Sequence, residues 1–497
     1  MIRQVGPDDW ADWRLLRLRS LAEDRAAFAS SVTPWTGDDD TEERWRGRLG
    51  NGDTCFVAYD DDRPVGMVGA EHREDGGIEL ISMWVAPEAR GRGVGAALVE
   101  RVVALGAGAP VGLRVMPGND PAIRAYERAG FALQLGDPDC DGCLRMERAA
   151  SFAHRLVATR LPGKGMSARF RRVGLLGVLQ DTDREGAHVD PPPAEAALGA
   201  MTWEAADAAS DRWWPQGITT SADAVTDPAD GTFEGHDVVL VSWYARGRLR
   251  RFLGSRVSVV DWHDDTAPRY RHVLLVEPRR LLGWTRLRPV RVHAGGIVWY
   301  GEHLFVAGSS GGIRVFRLAD LVRVRNRVRT KGYRYALPQT AQYAAEADPD
   351  TPGLTYSFLS LERGTTQDRL VAGEYGRRGG SHRLLRYPID RETGLLHGDD
   401  DGRVTPTDLH DQQVERMQGA TVAEGTWFIT ASSGEGRPGD LWVGRPGDYT
   451  RHRGVLPTGP EDITYVPQRR QLWTLTEWPG RRWLLWVDRD RWAGRTR

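Results

Sequence analysis

The pattern of hydrophobic and polar positions changes character near residue 150. Before that point, helical and strand patterns alternate. Trp13–Leu21 sets leucines among arginines, which predicts an amphipathic helix. Cys55–Tyr59 and Val65–Ala70 are apolar runs separated by a polar turn, which predicts a hairpin. Ile78–Val85 predicts a further strand, and Gly95–Leu105 a helix. The N-terminal part is therefore expected to be an α/β domain.

Beyond about residue 165, helical periodicity almost disappears, and short apolar runs alternate with Gly, Asp and Pro. This pattern is typical of an all-β domain. The runs repeat loosely as five units, which open at Gly217, Gly295, Ser357, Gly419 and Asp462. A five-bladed β-propeller is the architecture we expect, and two stacked sheets are the alternative.

The expected domain boundaries follow from this change in the hydrophobic pattern. We expect an N-terminal domain over residues 1–150, a linker over 151–166 and a β-propeller-like domain over 167–497. The fifth unit ends at Trp483–Val487 with little chain left for a last strand. We therefore expect Phe170–Val178 to complete that unit and close the ring.

Composition excludes several classes of function. The 67 basic and 68 acidic side chains leave a net charge of −1, so a nucleic acid is not an expected partner. Three cysteines exclude a disulfide scaffold, and the pair Cys140 and Cys143 is too few for a zinc site, so no metal site is predicted. The chain contains no long apolar run and opens with polar residues. We expect a cytoplasmic protein that is not associated with a membrane.

A glycine-rich loop, Arg90–Gly95, lies between a predicted strand and a predicted helix. Glycines allow a tight turn that aims successive backbone N–H groups at a phosphate, and a helix N-terminus adds unpaired donors. The spacing fits neither a Walker loop nor the dinucleotide-binding fingerprint.

Arg-x-x-Gly-x-Gly after a strand resembles the acetyl-coenzyme A loop of the GNAT superfamily of N-acetyltransferases. The segment Asn119–Phe131 resembles the second signature of that family. The resemblance covers about residues 1–148 and implies a mixed, centrally splayed sheet flanked by helices, with acetyl-CoA as cosubstrate.

The family roles are carried over residue by residue. The resemblance implies that the pyrophosphate is bound by the backbone of Arg90, Gly91, Arg92, Gly93, Val94 and Gly95. Main-chain groups of Met83, Trp84 and Val85 would pair with pantetheine, and Asn119 would contact the cofactor arm. Tyr126 would protonate the departing thiolate, because an unperturbed phenol, with a pKa of about 10, is protonated at neutral pH.

The general base and the acceptor are less well defined by the sequence. Glu79 precedes Arg90 with a spacing that resembles that of the catalytic glutamate in histone-acetylating family members, and a solvated edge residue is the alternative. The first helices of the family usually form the acceptor site. Here the acidic run Gly37–Glu43 would favour a cationic amine, if it is not simply a solvated loop.

The C-terminal pattern is similar to uncharacterised propeller-like domains of actinobacterial proteins, and this resemblance is architectural only. Polar residues that precede the first strands of the units, Gln216, His293, Gln418 and Asp462, are expected to converge at one mouth of the channel. There they would bind a small polar ligand or a hard cation, and the alternative is that they hydrogen-bond turns between blades.

Together these observations predict an N-acetyltransferase that acts on a primary amine of a small molecule or peptide. The propeller would bind a ligand, a protein or a polymer. The alternatives are a non-catalytic acetyl-CoA sensor and a propeller that carries its own enzymatic activity.

Overall fold

A computed structural model describes residues 1–28, 35–73, 77–106, 108–134, 142–148, 152–160, 170–224, 231–247, 252–264, 266–281, 284–309, 311–325, 330–349, 351–365, 367–377, 380, 382–399, 401–411 and 413–493. The chain divides into two compact units. The N-terminal unit is Met1–Ala153 with Thr407–Leu409, and the C-terminal unit is His154–Pro406 with His410–Arg497. No helix among the described residues has the length and apolar character needed to cross a membrane.

The N-terminal unit contains one seven-stranded sheet with the order β1-β2-β3-β4-β5-β7-β6. Its strands are β1 Ile2–Val5, β2 Thr54–Asp60, β3 Arg63–His72, β4 Ile78–Val85, β5 Val111–Val115, β6 Ala132–Leu133 and β7 Leu144–Arg148. Its helices are α1 Trp10–Glu23, α2 Glu42–Leu49, α3 Val94–Leu105 and α4 Asp120–Arg128. The predicted strands and helices of this domain are confirmed, since each apolar run lies in one of these elements.

Helices pack on both faces of this sheet. Because successive strand side chains point to opposite faces, each face has its own core. On one face, Leu98 of α3 and Tyr126 of α4 pack in a core with Leu80 of β4. On the other face, Trp13 of α1 and Trp45 of α2 pack in a second core that includes strand residues of β2, β3 and β4. The sheet therefore separates α3 and α4 from α1 and α2.

The C-terminal unit is rich in strands, which follow one another as five groups of antiparallel strands. The first two groups are joined in one 14-stranded sheet, because Arg269–Leu281 pairs in parallel with Tyr335–Ala347. The first group contains Trp213–Thr220, Val238–Arg246, Phe252–Asp261 and Arg269–Leu281. The second contains Ile297–Tyr300, His303–Ala307, Ile313–Arg317 and Tyr335–Ala347. The third contains Phe358–Glu362, Arg369–Gly373 and Leu384–Pro388. The fourth contains Met417–Ala423, Thr426–Ala431, Pro438–Arg445 and Asp448–Thr458. The fifth contains Pro460–Val466, Gln471–Thr476, Trp483–Asp488 and Ala197–Thr202.

Shorter elements complete the described secondary structure. The remaining strands are His154–Arg160, Arg171–Arg172, Arg184–Glu185, Ala187–His188, Trp284–Pro289, Val322–Arg323, Arg403–Val404 and Asp408–His410. The helices of this part are Leu176–Leu179, Ala205–Ala208, Ser221–Ala224 and Arg489–Trp492. His154–Arg160, which lies in the expected linker, is a strand that pairs with Tyr335–Ala347. Residues 161–166 of that linker, like Cys140, lie outside the described residues.

The prediction that Phe170–Val178 completes the fifth group is wrong. Phe170–Val178 forms a two-residue strand, Arg171–Arg172, and then enters the helix Leu176–Leu179. The partner of Trp483–Asp488 is instead Ala197–Thr202, antiparallel along its length. The physical reason is local: Val173–Val178 buries its valines and leucines at helical spacing against a core, whereas Gly199 lets the true partner lie against Trp486.

The first strands of the five groups contact one another closely. A Cβ placed on Gly217 would lie 2.8 Å from the Ile297 nitrogen, and one on Gly296 would lie 2.0 Å from the Leu359 nitrogen. Ser360 donates a hydrogen bond to the carbonyl of Ala420. Each predicted opening lies within a first strand or one or two residues before it, although the strands begin at Trp213, Ile297, Phe358, Met417 and Pro460. Glycine is required where two backbones approach this closely.

The same series of contacts returns from the fifth group to the first. A Cβ on Gly419 would lie 2.6 Å from the Asp462 Cα, and Thr430 donates to the Glu461 carbonyl at 2.6 Å. The Ile218 N–H in turn donates to the Asp462 carboxylate at 3.3 Å. The five first strands therefore follow one another in a closed series.

Candidate active site

The central feature of the N-terminal unit is a gap in its sheet between β4 and β5. These parallel strands pair only over Ile78–Leu80 on β4. Ser82 has a φ of 54°, in the left-handed region, at the point where the register of β4 against β3 shifts. A bulge of this kind bends its strand, so the rest of β4 diverges from β5. The splayed sheet expected from the sequence is confirmed.

A cavity of about 1010 Å³ occupies this gap and extends to both faces of the sheet. On the face of α3 and α4 its lining includes Gly93, Gly95, Asn119 and Tyr126. On the other face its lining includes residues of α1, α2 and the segment between them: Trp13, Arg17, Phe28, Trp35, Trp45 and Arg48. Met83, Trp84 and Val85 of β4 line the passage between the two halves.

The loop Arg90–Gly95 has the backbone form that its glycines predict. Gly91 and Gly93 have φ values of 74° and 80°, and, apart from their chain neighbours, no described residue has an atom within 4 Å of a Cβ built on either glycine. Gly93 is the N-cap of α3, so the first N–H groups of that helix are free of intrahelical partners. The turn is an open concave surface lined by backbone donors, which is the geometry that an anion requires.

The arginine side chains of the loop are held by protein carboxylates. Arg90 donates to the Val85 carbonyl at 2.9 Å and to Asp24 at 2.5 Å. Arg92 donates to Asp60 at 2.7 Å. Although burial opposes it, hydrogen bonds from Trp84 and Arg90 hold the pKa of Asp24 below its usual value. These contacts fix the loop and leave its backbone N–H groups as the donors in the turn.

Asn119 and Tyr126 belong to the short helix α4. The Asn119 side chain accepts from the Ala122 N–H at 3.4 Å and so caps this helix, which limits its freedom to contact a ligand. Tyr126 is half-buried beside Phe131, with 5.9 Å between the ring centroids. Burial raises the pKa of Tyr126 to about 12, so its phenol is protonated at neutral pH.

Glu79 lies on β4 directly below the divergence of the strands and lines the same cavity. Its Oε2 atom is 3.8 Å from an Arg73 guanidinium nitrogen and 3.9 Å from one of Arg145. Burial raises the pKa of Glu79, although these arginines counteract part of that effect. The structure thus brings Glu79 and Tyr126 to one cavity, on the residues that the sequence singled out.

The acidic run Gly37–Glu43 does not supply the charge of the acceptor half. Asp40 is paired with Arg14 and accepts from the Trp45 indole at 2.8 Å, and Arg44 and Arg46 pair with Asp39 and Glu42. Of the charged residues in the cavity lining, Arg17 and Asp24 belong to α1 and its end and Arg48 belongs to α2, and no residue of the run Gly37–Glu43 lines the cavity. The cationic-amine preference inferred from the acidic run therefore has no basis in the cavity lining.

Sequence reasoning missed Arg17, although the sequence contains a signal for it. Arg17 is four residues from Trp13 and from Leu21, so it lies on the buried stripe of α1 rather than on its exposed side. A charged residue on the apolar stripe of a helix is unusual, and this position is the signal for Arg17.

In the C-terminal unit, two of the four predicted ligand residues meet at a buried pair of carboxyl groups. Gln216 donates to Glu477 at 3.2 Å, and Gln418 donates to Glu461 at 3.3 Å. The charges of Glu461 and Glu477 act on each other. Burial raises the pKa of both, that of Glu477 to about 7. Glu477 was not predicted, because a glutamate just after a strand has no distinguishing pattern.

The other two predicted residues have different surroundings. Asp462 is fully buried and accepts from the Ile218 N–H at 3.3 Å, and burial raises its pKa. His293 stacks on Tyr244 with 4.5 Å between ring centroids and contacts Phe252 edge-on. Burial lowers the pKa of His293 to about 4, so the ring is neutral at pH 7. Among the described residues, no group of three or more His, Cys, Asp or Glu is arranged to hold a metal ion.

Comparison with known proteins assigns the first of these two sites to a family. Residues 18–131 match the acetyltransferase (GNAT) family. A comparison with curated proteins finds no match. Solved structures that are similar to part of this chain include the PaiA N-acetyltransferase of Thermoplasma acidophilum in complex with coenzyme A. It is 17% identical, with 30% of this chain and 98% of that chain covered and a TM-score of 0.26.

Two further structures are each similar to about a third of the chain. YncA of Salmonella typhimurium, with its cofactor acetyl-CoA, is 17% identical, with 33% of this chain and 98% of that chain covered and a TM-score of 0.27. The ribosomal-protein-alanine N-acetyltransferase of Brucella melitensis is 20% identical. The match covers 30% of this chain and 99% of that chain, with a TM-score of 0.23. The family match, at residues 18–131, contains the splayed strands, the glycine turn and Tyr126, and it identifies the N-terminal domain as a GNAT-type acetyltransferase domain.

Proposed function

We propose that the N-terminal domain transfers the acetyl group of acetyl-CoA to a primary amine. The observation that carries the proposal is the single cavity that runs from the glycine turn, along the unpaired part of β4, to an aromatic pocket on the opposite face. Two substrates that enter from opposite faces of the sheet would meet at the divergence of β4 and β5. Such an arrangement holds two reactants together, which favours direct transfer between them.

The donor half suits acetyl-CoA for reasons of shape and charge. The turn at Gly91 and Gly93 would bind the pyrophosphate through backbone N–H groups of residues 90–95 and the N-terminus of α3. The unpaired edge of Met83, Trp84 and Val85 would pair with the amides of pantetheine as a neighbouring strand does. Asn119 would contribute mainly by capping α4, beside the cofactor arm.

In the transfer step, the amine nitrogen forms a bond to the thioester carbonyl carbon and the carbon–sulfur bond breaks. Tyr126 would give its phenolic proton to the leaving thiolate, and its raised pKa keeps that proton available. Glu79 would accept the proton that the amine loses, directly or through water. The products are an N-acetylated amine and coenzyme A with a free thiol.

The test is amine-dependent release of thiol by the full chain. We expect that acetyl-CoA and a panel of primary amines and short peptides will give release above the rate without amine. The Tyr126→Phe variant will reduce that release while it retains binding of acetyl-CoA. Tight binding without any amine-dependent release would instead favour the non-catalytic sensor.

For the C-terminal domain we propose a five-bladed β-propeller that binds a small polar ligand or a partner at its centre. The closed series of first strands and the pairing of Ala197–Thr202 with Trp483–Asp488 support this architecture. The buried carboxyl pair Glu461 and Glu477, with Gln216 and Gln418, is the candidate binding group, and Asp462 and His293 would support it. Its own enzymatic activity is the alternative, because paired carboxyl groups with raised pKa values are also found in catalytic sites.

A thermal-shift screen of the full chain tests this second proposal. Small polar metabolites, including sugars, polyols and diamines, are expected to include a compound that raises the melting temperature of the wild-type protein. The stabilisation should be absent in a Gln216→Ala, Gln418→Ala double variant. A compound that stabilises both proteins equally does not bind this group.

A further inference from the structure

Helix α1 buries a cation that has no anionic partner among the described residues. Arg17 is 9% exposed and lies on the buried stripe of α1, between Trp13 and Leu21. Its Nη1 atom is buried and makes no hydrogen bond to any residue that the structure describes. The guanidinium lies over the ring of Phe28, 5.1 Å from its centroid. An aromatic face compensates only part of the cost of removing a charge from water.

The charged groups nearby do not relieve this cost. Arg48 is a like charge and is itself paired with Asp53 at 2.5 Å. Of the cavity carboxylates, Asp24 is bound by Trp84 and Arg90, whereas Glu79 is nearest to other arginines. Burial and the charge of Arg48 lower the pKa of Arg17 to about 10, so it remains protonated at pH 7. A desolvated cation of this kind is retained against a stability cost, which is typical of a binding residue.

The position of Arg17 separates it from the proposed donor phosphates. The side chain lines the cavity, but α1 packs on the face of the sheet opposite to α3 and the glycine turn. Arg17 therefore belongs to the half of the cavity that the second substrate would enter. Besides Arg17, Asp24 and Arg48, this half is lined largely by aromatic side chains, with Trp35 and Trp45 stacked at 4.9 Å and Phe28 in the same lining.

We propose that Arg17 binds an anionic group of the acceptor, so that the substrate is a primary amine that also carries a carboxylate or phosphate and an apolar or aromatic body. This inference rests on the proposed acetyl transfer. A guanidinium presents a planar fork of donors that matches the two oxygens of either anion. The aromatic side chains would pack against the body, and the amine would then extend towards β4 and Glu79.

The experiment compares acceptors that differ only in charge. L-tryptophan, L-tryptophanamide and tryptamine share one aromatic body, and only the first carries a carboxylate. Phosphoethanolamine and ethanolamine form a second pair, which distinguishes a phosphate from a carboxylate. kcat/KM is measured for each compound with the full chain, and binding to the CoA-loaded protein is measured by calorimetry. The variants are Arg17→Gln, Arg17→Lys, Arg17→Met for the melting temperature and, as a control, Arg46→Gln, which removes an exposed arginine of α2.

We expect the wild-type protein to prefer the anionic member of at least one set by about 10- to 100-fold, the usual range for a lost charged hydrogen bond. Arg17→Gln should abolish this preference through KM and leave the neutral amines and CoA binding unchanged. Arg17→Lys should restore part of it, and Arg46→Gln should retain it fully. Arg17→Met should melt at the wild-type temperature or above it, because it removes a buried unpaired charge.

Three results of the kinetic and melting measurements would overturn the proposal. The wild-type protein could show equal kcat/KM for the anionic and neutral acceptors, or Arg17→Gln could keep the preference for the anionic acceptor. Alternatively, Arg17→Gln could lower the melting temperature and impair every acceptor equally, which would make Arg17 a structural residue. If no amine is acetylated while CoA still binds, acetyl transfer itself fails, and calorimetry with tryptophan and tryptamine then decides the role of Arg17. Equal binding of the two compounds, or binding of neither, would refute that role.

Discussion

The Arg90 guanidinium donates a hydrogen bond to the Asp24 carboxylate, with 2.5 Å between the two atoms. Asp24 immediately follows α1, and it also accepts from the Trp84 indole at 2.6 Å. One carboxylate thus connects the glycine turn, β4 and the end of α1. The loop is held by side-chain contacts, which leave its backbone N–H groups for a ligand, so ligand binding and loop support are carried by different atoms.

This separation predicts how loop variants affect binding of CoA. Gly93→Val should weaken binding by about tenfold or more, because a β-branched residue is strained at a φ of 80° and its side chain enters the space for the phosphates. Arg90→Ala should have a smaller effect, because its side chain bonds to Asp24 and Val85. Calorimetry with CoA measures both. Wild-type affinity in a folded Gly93→Val protein would show that the turn does not bind the phosphates.

Replacement of Tyr126 by phenylalanine should lower kcat by about 10²- to 10⁴-fold, the usual contribution of general acid catalysis. The ring keeps its packing beside Phe131, so the affinity for CoA should be unchanged. Tyr59→Phe is a matched control, because the Tyr59 hydroxyl bonds to Asp12 and Arg3 rather than lining the cavity. A loss of CoA affinity with unchanged kcat would make Tyr126 a binding residue only.

The rate should depend on pH through Glu79. A base acts as the carboxylate, so activity should fall as the pH decreases through the pKa of Glu79, which burial places above that of a free glutamate. Glu79→Gln should remove this acidic limb of the kcat/KM profile and reduce the rate on its plateau. Glu71, the neighbour of Glu79 on β3, provides the control variant Glu71→Gln. An identical profile in Glu79→Gln would exclude Glu79 as the base.

The carboxyl pair of the C-terminal domain should make folding stability depend on pH. The folded pKa of Glu477 is raised to about 7, so the folded state holds a proton that the unfolded state releases near pH 4.5. The free energy of unfolding should therefore fall as pH rises between these values, by up to about 1.4 kcal/mol per unit of pKa shift. Glu477→Gln should flatten this dependence in urea denaturation, and equal slopes in both proteins would contradict the assignment.

Closure of the C-terminal strand series can be tested at Gly199. A Cβ at this position would lie 2.3 Å from the Trp486 ring, so Gly199→Val should disrupt the pairing of Ala197–Thr202 with Trp483–Asp488. We expect a large drop in the melting temperature of the C-terminal domain with little change in CoA affinity. Leu198→Val is the control, because Leu198 is 53% exposed. Equal melting temperatures for the two variants would show that this strand pair contributes little to stability.

The N-terminal domain could be predicted well because each of its features is encoded within a short segment of the sequence. The glycine turn, the strand before it and the helix with Tyr126 each lie within a short segment, and turn geometry follows directly from residue type. The position of Glu79 could also be predicted, since it lies on the strand that precedes the turn. The strand openings of the C-terminal domain were predictable for the same reason.

The errors concern contacts between distant residues. Nothing near Ala197–Thr202 indicates that it pairs with a strand almost 300 residues later, whereas Phe170–Val178 had the composition of a strand and became a helical turn. The acidic run near Asp40 could not be interpreted without its arginine partners, which lie on two helices. Glu477 and Arg17 gain their importance from burial, and burial is set by the whole fold.

The pairing of Ala197–Thr202 with Trp483–Asp488 also has a consequence for biosynthesis. A growing chain that has not yet reached Trp483 carries an early strand whose hydrogen-bonding edge has no partner, and open edges of this kind invite association with other chains. The C-terminal domain can be completed only after nearly all of its residues have been synthesised. The acetyltransferase domain has no such requirement, because its strands and helices lie within the first 148 residues, so it can fold while the ribosome is still extending the rest of the chain.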